Sequence, residues 1–263
     1  MYLGGFIAQD VFNAVFTYYV IYVLFQTATV SSELLGIMSI MQLIAVLCMI
    51  PLCIHWPAPA YRLAVAFFCA CLPAYGFLWL GDFTHLAVLM LVSAVAGFGR
   101  GGINYIPWNT YTYMADVDEA ITGLRREGIF AGVMTMTRKA SQAVAVMLVG
   151  VLLQLAHFNP GQPQQPASVH YIILAVLSLG TTLLLIGGYL ASRRFTLNIK
   201  THAVLREECD RMRLAGGPLA PASPQNQRIL EEITGLRYQE LWGNNSVSRL
   251  SRQPDADTVT ASK

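Results

Sequence analysis

Six long apolar stretches separated by short polar links organise the first 190 or so residues of this chain. They cover Leu3–Phe25, Leu34–Ile54, Tyr61–Leu80, Leu86–Tyr111, Ile129–His157 and Val169–Ala191. Each is near the ~20 apolar residues that carry a helix across a bilayer. None alternates as a strand would, and a lone span in lipid must satisfy its backbone internally, so each predicts a helix. The links read TATVSSE, HWPAP, GDFTH, a charged loop at Asp116–Glu127, and NPGQPQQPAS. Pro57, Pro59, Pro160, Pro163 and Pro166 fall in links, where a missing N–H does no harm; Pro51, Pro73 and Pro107 fall within or at the ends of spans. The pattern predicts an all-α membrane protein with six transmembrane helices over residues 1–194. A polar tail follows over residues 195–263, broken at AGGPLAPASP. Ser223 before Pro224 signals the start of a short capped helix. Leu236–Trp242 adds a few apolar residues, and the absence of periodicity from Asn244 onward predicts disorder. The tail is thus expected to hold one or two short helices and then none.

Composition agrees with the pattern. The chain is 55% hydrophobic and only 12% charged, with a mean hydropathy of +0.49, about half the charge of a soluble domain. The net charge of +2 says little; its placement says more. Links after spans one, three and five carry no Lys or Arg, whereas the others carry Arg62, then Arg125 and Arg126, then Arg193, Arg194 and Lys200. This asymmetry predicts that both termini are cytoplasmic. The opening MYLGGFIAQDVFN has neither a basic n-region nor a cleavage site and starts almost inside the first span. Cys48, Cys53, Cys69, Cys71 and Cys209 form no metal-ligand or CxxC spacing, and the five histidines sit in links, at span ends or in the tail. No nucleophile–base–acid set is visible, which argues against an enzyme, and nothing suggests a nucleic-acid partner.

Polar residues inside the spans are the candidates for function, because a charge at the bilayer centre costs about 2.5–3.5 kcal/mol by insertion scales. Asp10, Asn13 and Thr17 fall on one face of the first helix, as a helix-packing face or as a cavity-lining stripe. Gly97–Gly102 lacks the Lys-Ser/Thr of a phosphate loop and suits close helix packing; Arg100 within it needs a partner or water. Arg138 and Lys139 lie about ten residues into the fifth span. They point ~100° apart, so one is expected to face a cavity and the other to pair with a neighbouring helix or snorkel. Gln142 stands one turn beyond Lys139.

The charged loop and the span after it resemble the loop between helices ten and eleven of the glycoside–pentoside–hexuronide:cation symporters, the melibiose permease group of the major facilitator superfamily. The similarity rests on Ala115–Asp116, Gly123, Arg125, Glu127 and Lys139, the last fourteen positions after Arg125. The first span also resembles the seventh helix of these carriers, and the likeness covers residues 2–243. The pair Asp116–Val–Asp118 is tighter than the family's acidic spacing. The resemblance implies the C-terminal six-helix half of a sugar:cation symporter in a bacterial inner membrane, with no cofactor, a sugar or glycoside substrate, and Na⁺ or H⁺ as coupling cation. It places Lys139 near the cation site and Asp116, Asp118, Arg125 and Glu127 in a cytoplasmic gate loop. Arg138, Asp10, Asn13 and Arg100 are further candidates for the pathway. A split or truncated half-carrier working with a missing N-terminal half or a second copy is one expectation; a six-span scaffold or sensor whose tail binds a partner is the alternative.

Overall fold

A computed structural model describes residues 1–81, 85–162, 164–215, 221 and 223–245. Residues 82–84 of the third link, most of the AGGPLAPASP break and the stretch beyond residue 245 expected to be disordered lie outside the described residues. Helix α1 (Tyr2–Tyr18) continues through a π-helical turn, Tyr19–Val23. Next come α2 (Ala28–His55), α3 (Pro57–Leu80), α4 (Leu86–Thr122) and α5 (Glu127–Leu155). The sixth apolar stretch forms α6 (Ala167–Ala175), a π turn (Val176–Gly180) and α7 (Thr181–Arg193). The tail contributes α8 (Ile199–Ala215), α9 (Pro224–Thr234) and a 3₁₀ turn at Tyr238–Glu240. Six helical stretches are long and apolar enough to cross a membrane.

Two boundaries differ from the sequence expectation. Pro57 and Pro59 belong to the first turn of α3, with Pro57 at its first position, where no N–H is required. The charged link is much shorter than Asp116–Glu127. Helix α4 runs 37 residues to Thr122, so Asp116 and Asp118 sit on its last turns. The helix stops where Gly123 takes a φ of +70° and its N–H bonds the Glu119 carbonyl at 2.7 Å, a glycine stop.

The chain divides into two compact units: residues 1–109 with 134–195, and residues 110–133 with the tail from 196. The first unit is built by close packing. Phe12 meets Phe68 edge-on at 5.2 Å and Phe16 meets Tyr75 at 5.8 Å, while the Tyr19 hydroxyl donates to the Tyr75 carbonyl at 2.6 Å. Helix α4 approaches two neighbours through glycines. A Cβ on Gly101 would lie 2.6 Å from Ala45 Cβ of α2, and one on Gly99 2.6 Å from the Phe68 nitrogen of α3. Gly4 of α1 likewise faces the backbone of Gly188 in α7 at 2.9 Å. Without a water-driven force between apolar helices in lipid, such close backbone approach supplies the attraction. Aliphatic side chains such as Leu43, Leu47, Met147, Val151, Leu179 and Leu183 face outward, as lipid-facing residues do.

The second unit is polar. Helix α8 begins with a reciprocal cap: Asn198 Oδ1 accepts from the Thr201 N–H at 3.1 Å, and Thr201 Oγ1 accepts from the Asn198 N–H at 2.9 Å. Helix α9 is capped by Ser223, whose Oγ accepts from the Asn226 N–H at 3.1 Å, and is closed by Gly235 at φ +70°.

Candidate functional site

Within the first unit, α1, α4 and α5 bring four of the five pathway candidates together. Asp10 stands half-buried on α1, and its Oδ1 accepts from Gln142 Nε2 of α5 at 3.5 Å. The positive charges acting on its carboxylate are Arg138, Lys139 and Arg100, in that order. Its other oxygen, Oδ2, is buried without a hydrogen-bond partner.

Arg100 is buried on α4 at 8% exposure. Its Nε donates to Gln9 Oε1 at 3.4 Å, Nη1 reaches Met38 Sδ at 3.5 Å, and its guanidinium carbon lies 5.6 Å from the Phe12 ring centre. These are weak partners for a buried cation. Arg138 rests over the Phe6 ring at 4.1 Å, a cation–π contact, and its Nε is buried without a partner. Lys139, the next residue, is exposed on α5 and makes no hydrogen bond or ion pair among the described residues. Asn13, one turn beyond Asp10, is exposed as well. The adjacent cations thus divide as two side chains ~100° apart must: Arg138 packs inward on an aromatic ring and Lys139 stays open.

Sequence reasoning missed Gln9 and Phe6. Both precede Asp10 by about a turn or less, and the signal for Gln9 was present as a second polar residue in an apolar run. A separate apolar cavity of about 580 Å³ lies between α1, α5, α7 and the π turn Val176–Gly180, with Ile7, Val144 and Leu184 among its walls.

The remaining candidates belong to the second unit, and each has a partner. Asp116 Oδ2 lies 2.7 Å from His202 Nε2 of α8, whose ring stacks on Tyr113 at 4.1 Å. Asp118 holds Arg126 through two bonds, at 2.8 and 3.1 Å. Arg125 pairs with Glu127, both more than half exposed. Glu119, not singled out from sequence, accepts from Arg213 Nε at 2.6 Å, and these bonds hold the Arg213 guanidinium above its ordinary range. A polar cavity of about 310 Å³ opens between Asp116, Arg125, His202, Arg206 and Arg213. Cys209 on its wall is buried; burial first, then the Glu119 and Asp116 carboxylates, push its thiol up to about 12.

A cluster of unneutralised charges inside a six-helix apolar bundle is the chemistry of a membrane carrier. A family model described as MFS/sugar transport protein matches residues 1–199. The chain belongs to this MFS/sugar transport family. Its relatives are transporters, and it is not an enzyme. An uncharacterized symporter of Synechocystis sp. is 30% identical over 136 residues, 50% of this chain and 25% of that protein. A putative sulfoquinovose importer of Escherichia coli is 29% identical over 119 residues, 45% of this chain and 26% of that protein. The matches therefore span about a quarter of each curated relative's length. No solved structure matches this MFS/sugar transport chain.

Proposed function

We propose that this chain works in sugar:cation symport, with the cluster of Asp10, Arg100, Arg138 and Lys139 as its contribution to the pathway and Lys139 as the cation-coupling residue. The observation that carries the reading is Lys139 itself, an exposed ammonium within an apolar helix that forms no ion pair among the described residues and acts only at longer range on the Asp10 carboxylate. Such a charge is tolerable in a membrane when carboxylates or water meet it. A cation binding at those carboxylates would displace it, which couples the cation to the state of the carrier. The symporter named among the relatives supports coupling. The resemblance to melibiose-type carriers supports a six-helix half that works with a second six-helix bundle, since such carriers bind substrate between two halves. In this reading both termini face the cytoplasm of a bacterial inner membrane, and Asp116, Asp118, Arg125 and Glu127 organise the cytoplasmic gate.

The test is uptake of labelled sugar into proteoliposomes under an imposed Na⁺ or H⁺ gradient. The chain alone is expected not to accumulate sugar. With a complementary six-span chain, or a second copy arranged as one, gradient-driven uptake should appear. Lys139→Ala should remove the gradient's effect while leaving insertion intact, and Lys139→Arg should restore it only partly, because a planar fork does not replace a compact point charge. Uptake by Lys139→Ala that still follows the cation gradient overturns the coupling role.

A further inference from the structure

We propose that the polar cavity of the second unit is a binding site for a phosphate group carried on a small organic body, with Arg206 and Arg125 as its principal donors. The cavity measures about 310 Å³, near the lower end of the range that small-molecule sites occupy. Its walls set Arg125, Arg206, Arg213 and His202 against two carboxylates, Asp116 and Glu127. Most of these charges are already engaged. Asp116 Oδ2 is taken by His202. Arg213 gives Nε and Nη2 to Glu119 and Nη1 to Asp210. Glu127 is held by Arg125. Arg206 is left over, with no ion pair or side-chain hydrogen bond among the described residues. An exposed arginine without a partner is by itself an ordinary solvated side chain. What singles out Arg206 is its place on a wall where the other charges are taken.

Arg125 is the one neighbour that can join it. Its Nε and Nη2 both go to a single oxygen, Oε1 of Glu127, so Nη1 stays outside that pair. Both partners are more than half exposed, where an ion pair contributes little and yields easily. Arg206 lies on α8 and Arg125 in the link between α4 and α5, so guanidinium groups from two separate segments border one cavity. A phosphate monoester suits that arrangement. It brings up to two negative charges and three strong acceptor oxygens, enough to receive both arginines together. A carboxylate has one charge and two oxygens in a plane, which a single guanidinium fork satisfies. The wall carboxylates do not oppose the phosphate strongly: Asp116 keeps His202, and only the exposed Glu127 would give up its arginine. A soluble ester and the headgroup of a phosphomonoester lipid present the same group, and the test separates them.

The test is equilibrium binding of labelled glycerol 3-phosphate by the purified full chain in phosphatidylcholine nanodiscs, with glycerol and glycerate as the neutral and carboxylate counterparts. Glycerol 3-phosphate should bind at least about tenfold more tightly than glycerate. Arg206→Gln should weaken it by about tenfold or more, the loss that one charged hydrogen bond implies, without moving the unfolding temperature, as an exposed substitution should not. Arg125→Gln should weaken it as well. Lys200→Gln, which removes an exposed cation of α8 outside the cavity, should leave it unchanged. Phosphatidic acid added to the discs then identifies the source. Displacement of glycerol 3-phosphate by the lipid, abolished in Arg206→Gln, assigns the site to a headgroup; no displacement assigns it to a soluble ester, and either upholds the phosphate site. Glycerate binding as tightly as glycerol 3-phosphate, equal losses in Arg206→Gln and Lys200→Gln, or no saturable binding of glycerol 3-phosphate overturns it. The sugar:cation reading is untouched by these outcomes, since none of them measures transport.

Discussion

The two units of this chain treat charge in opposite ways. Every ion pair found among the described residues belongs to the unit of residues 110–133 and the tail. There Glu208, with no exposure at all, holds Arg211 at 2.9 Å, Asn226 at 2.9 Å and the Tyr238 hydroxyl at 3.4 Å. Burial and that carboxylate push the Tyr238 phenol up to about 12. In the membrane-helix unit three cations and one carboxylate share a neighbourhood and form no ion pair. Charge in the first case supports the fold. In the second it is left unspent, which is the state expected of groups that act on something passing through. Fold stability in that unit comes instead from glycines and apolar contacts.

The largest effect that could break this contrast lies in the polar unit. Arg211→Ala should destabilise it by about 3 kcal/mol, because removing one partner strands a buried carboxylate. Cys209 reports the outcome by mass spectrometry of alkylated peptides. With its thiol near 12 it should resist iodoacetamide at pH 8 in the parent chain and react in the variant. An inert Cys209 in Arg211→Ala would mean that the ion pairs are ornamental.

Next in size, Gly101→Leu should cost the helix bundle about 2 kcal/mol, the usual penalty of overpacking. Its side chain would press on Ala45 and on the Gln42 carbonyl 2.6 Å away. Thermal unfolding in detergent measures this, and Gly128→Leu, with open space around its position, is the matched control that should cost far less.

A smaller effect is expected in acid. The Gln227 side chain and the Tyr238 N–H, both 3.0 Å from Glu231 Oε1, hold the Glu231 carboxyl below its ordinary value of 4.5. Its contribution is present above that value and fades as pH falls through the lower, folded one. Exchange protection of the Tyr238 amide, corrected for the intrinsic pH dependence, should weaken over that acid range, and Glu231→Gln should abolish the trend.

The smallest expected effect sharpens the comparison most. Lys139→Ala should change the unfolding temperature within error, as exposed substitutions usually do. A clear loss of stability would make Lys139 a structural cation after all and erase the distinction between the units.

Much of the helical frame was legible because apolar runs of span length leave few alternatives in lipid. The close approach through Gly97–Gly102 was readable for the same reason, as was the helix that starts at Pro224 after Ser223. What escaped was long-range. Helix α8 announces itself only through Asn198 and Thr201, a cap without the usual glutamate, in a segment with little apolar periodicity. The charged link looked like a loop because acidic residues crowd it, yet each of Asp116, Asp118 and Glu119 finds a side-chain partner that lets the helix continue through them. His202 and Arg213, which are two of those partners, lie more than 80 positions away, beyond the reach of local pattern. In the bundle, Arg100 was visible as a problem, but its partners Gln9 and Met38 were not, since neither residue type signals a counter-group.

The end of α4 carries a consequence for how the chain is made. Its last carbonyls, on Ala120 and Ile121, accept from the backbone N–H groups of Trp242 and Gly243 at 2.7 and 3.0 Å. Ile121 also receives the side chain of Asn245, 124 positions later at 2.7 Å. A helix is therefore finished by residues that leave the ribosome more than a hundred positions after it. At about 5–20 residues per second, these carbonyls wait many seconds for their partners, long enough for two further membrane spans to be inserted. Loss of Trp242–Asn245 would thus be felt first at the joint between the fourth and fifth spans.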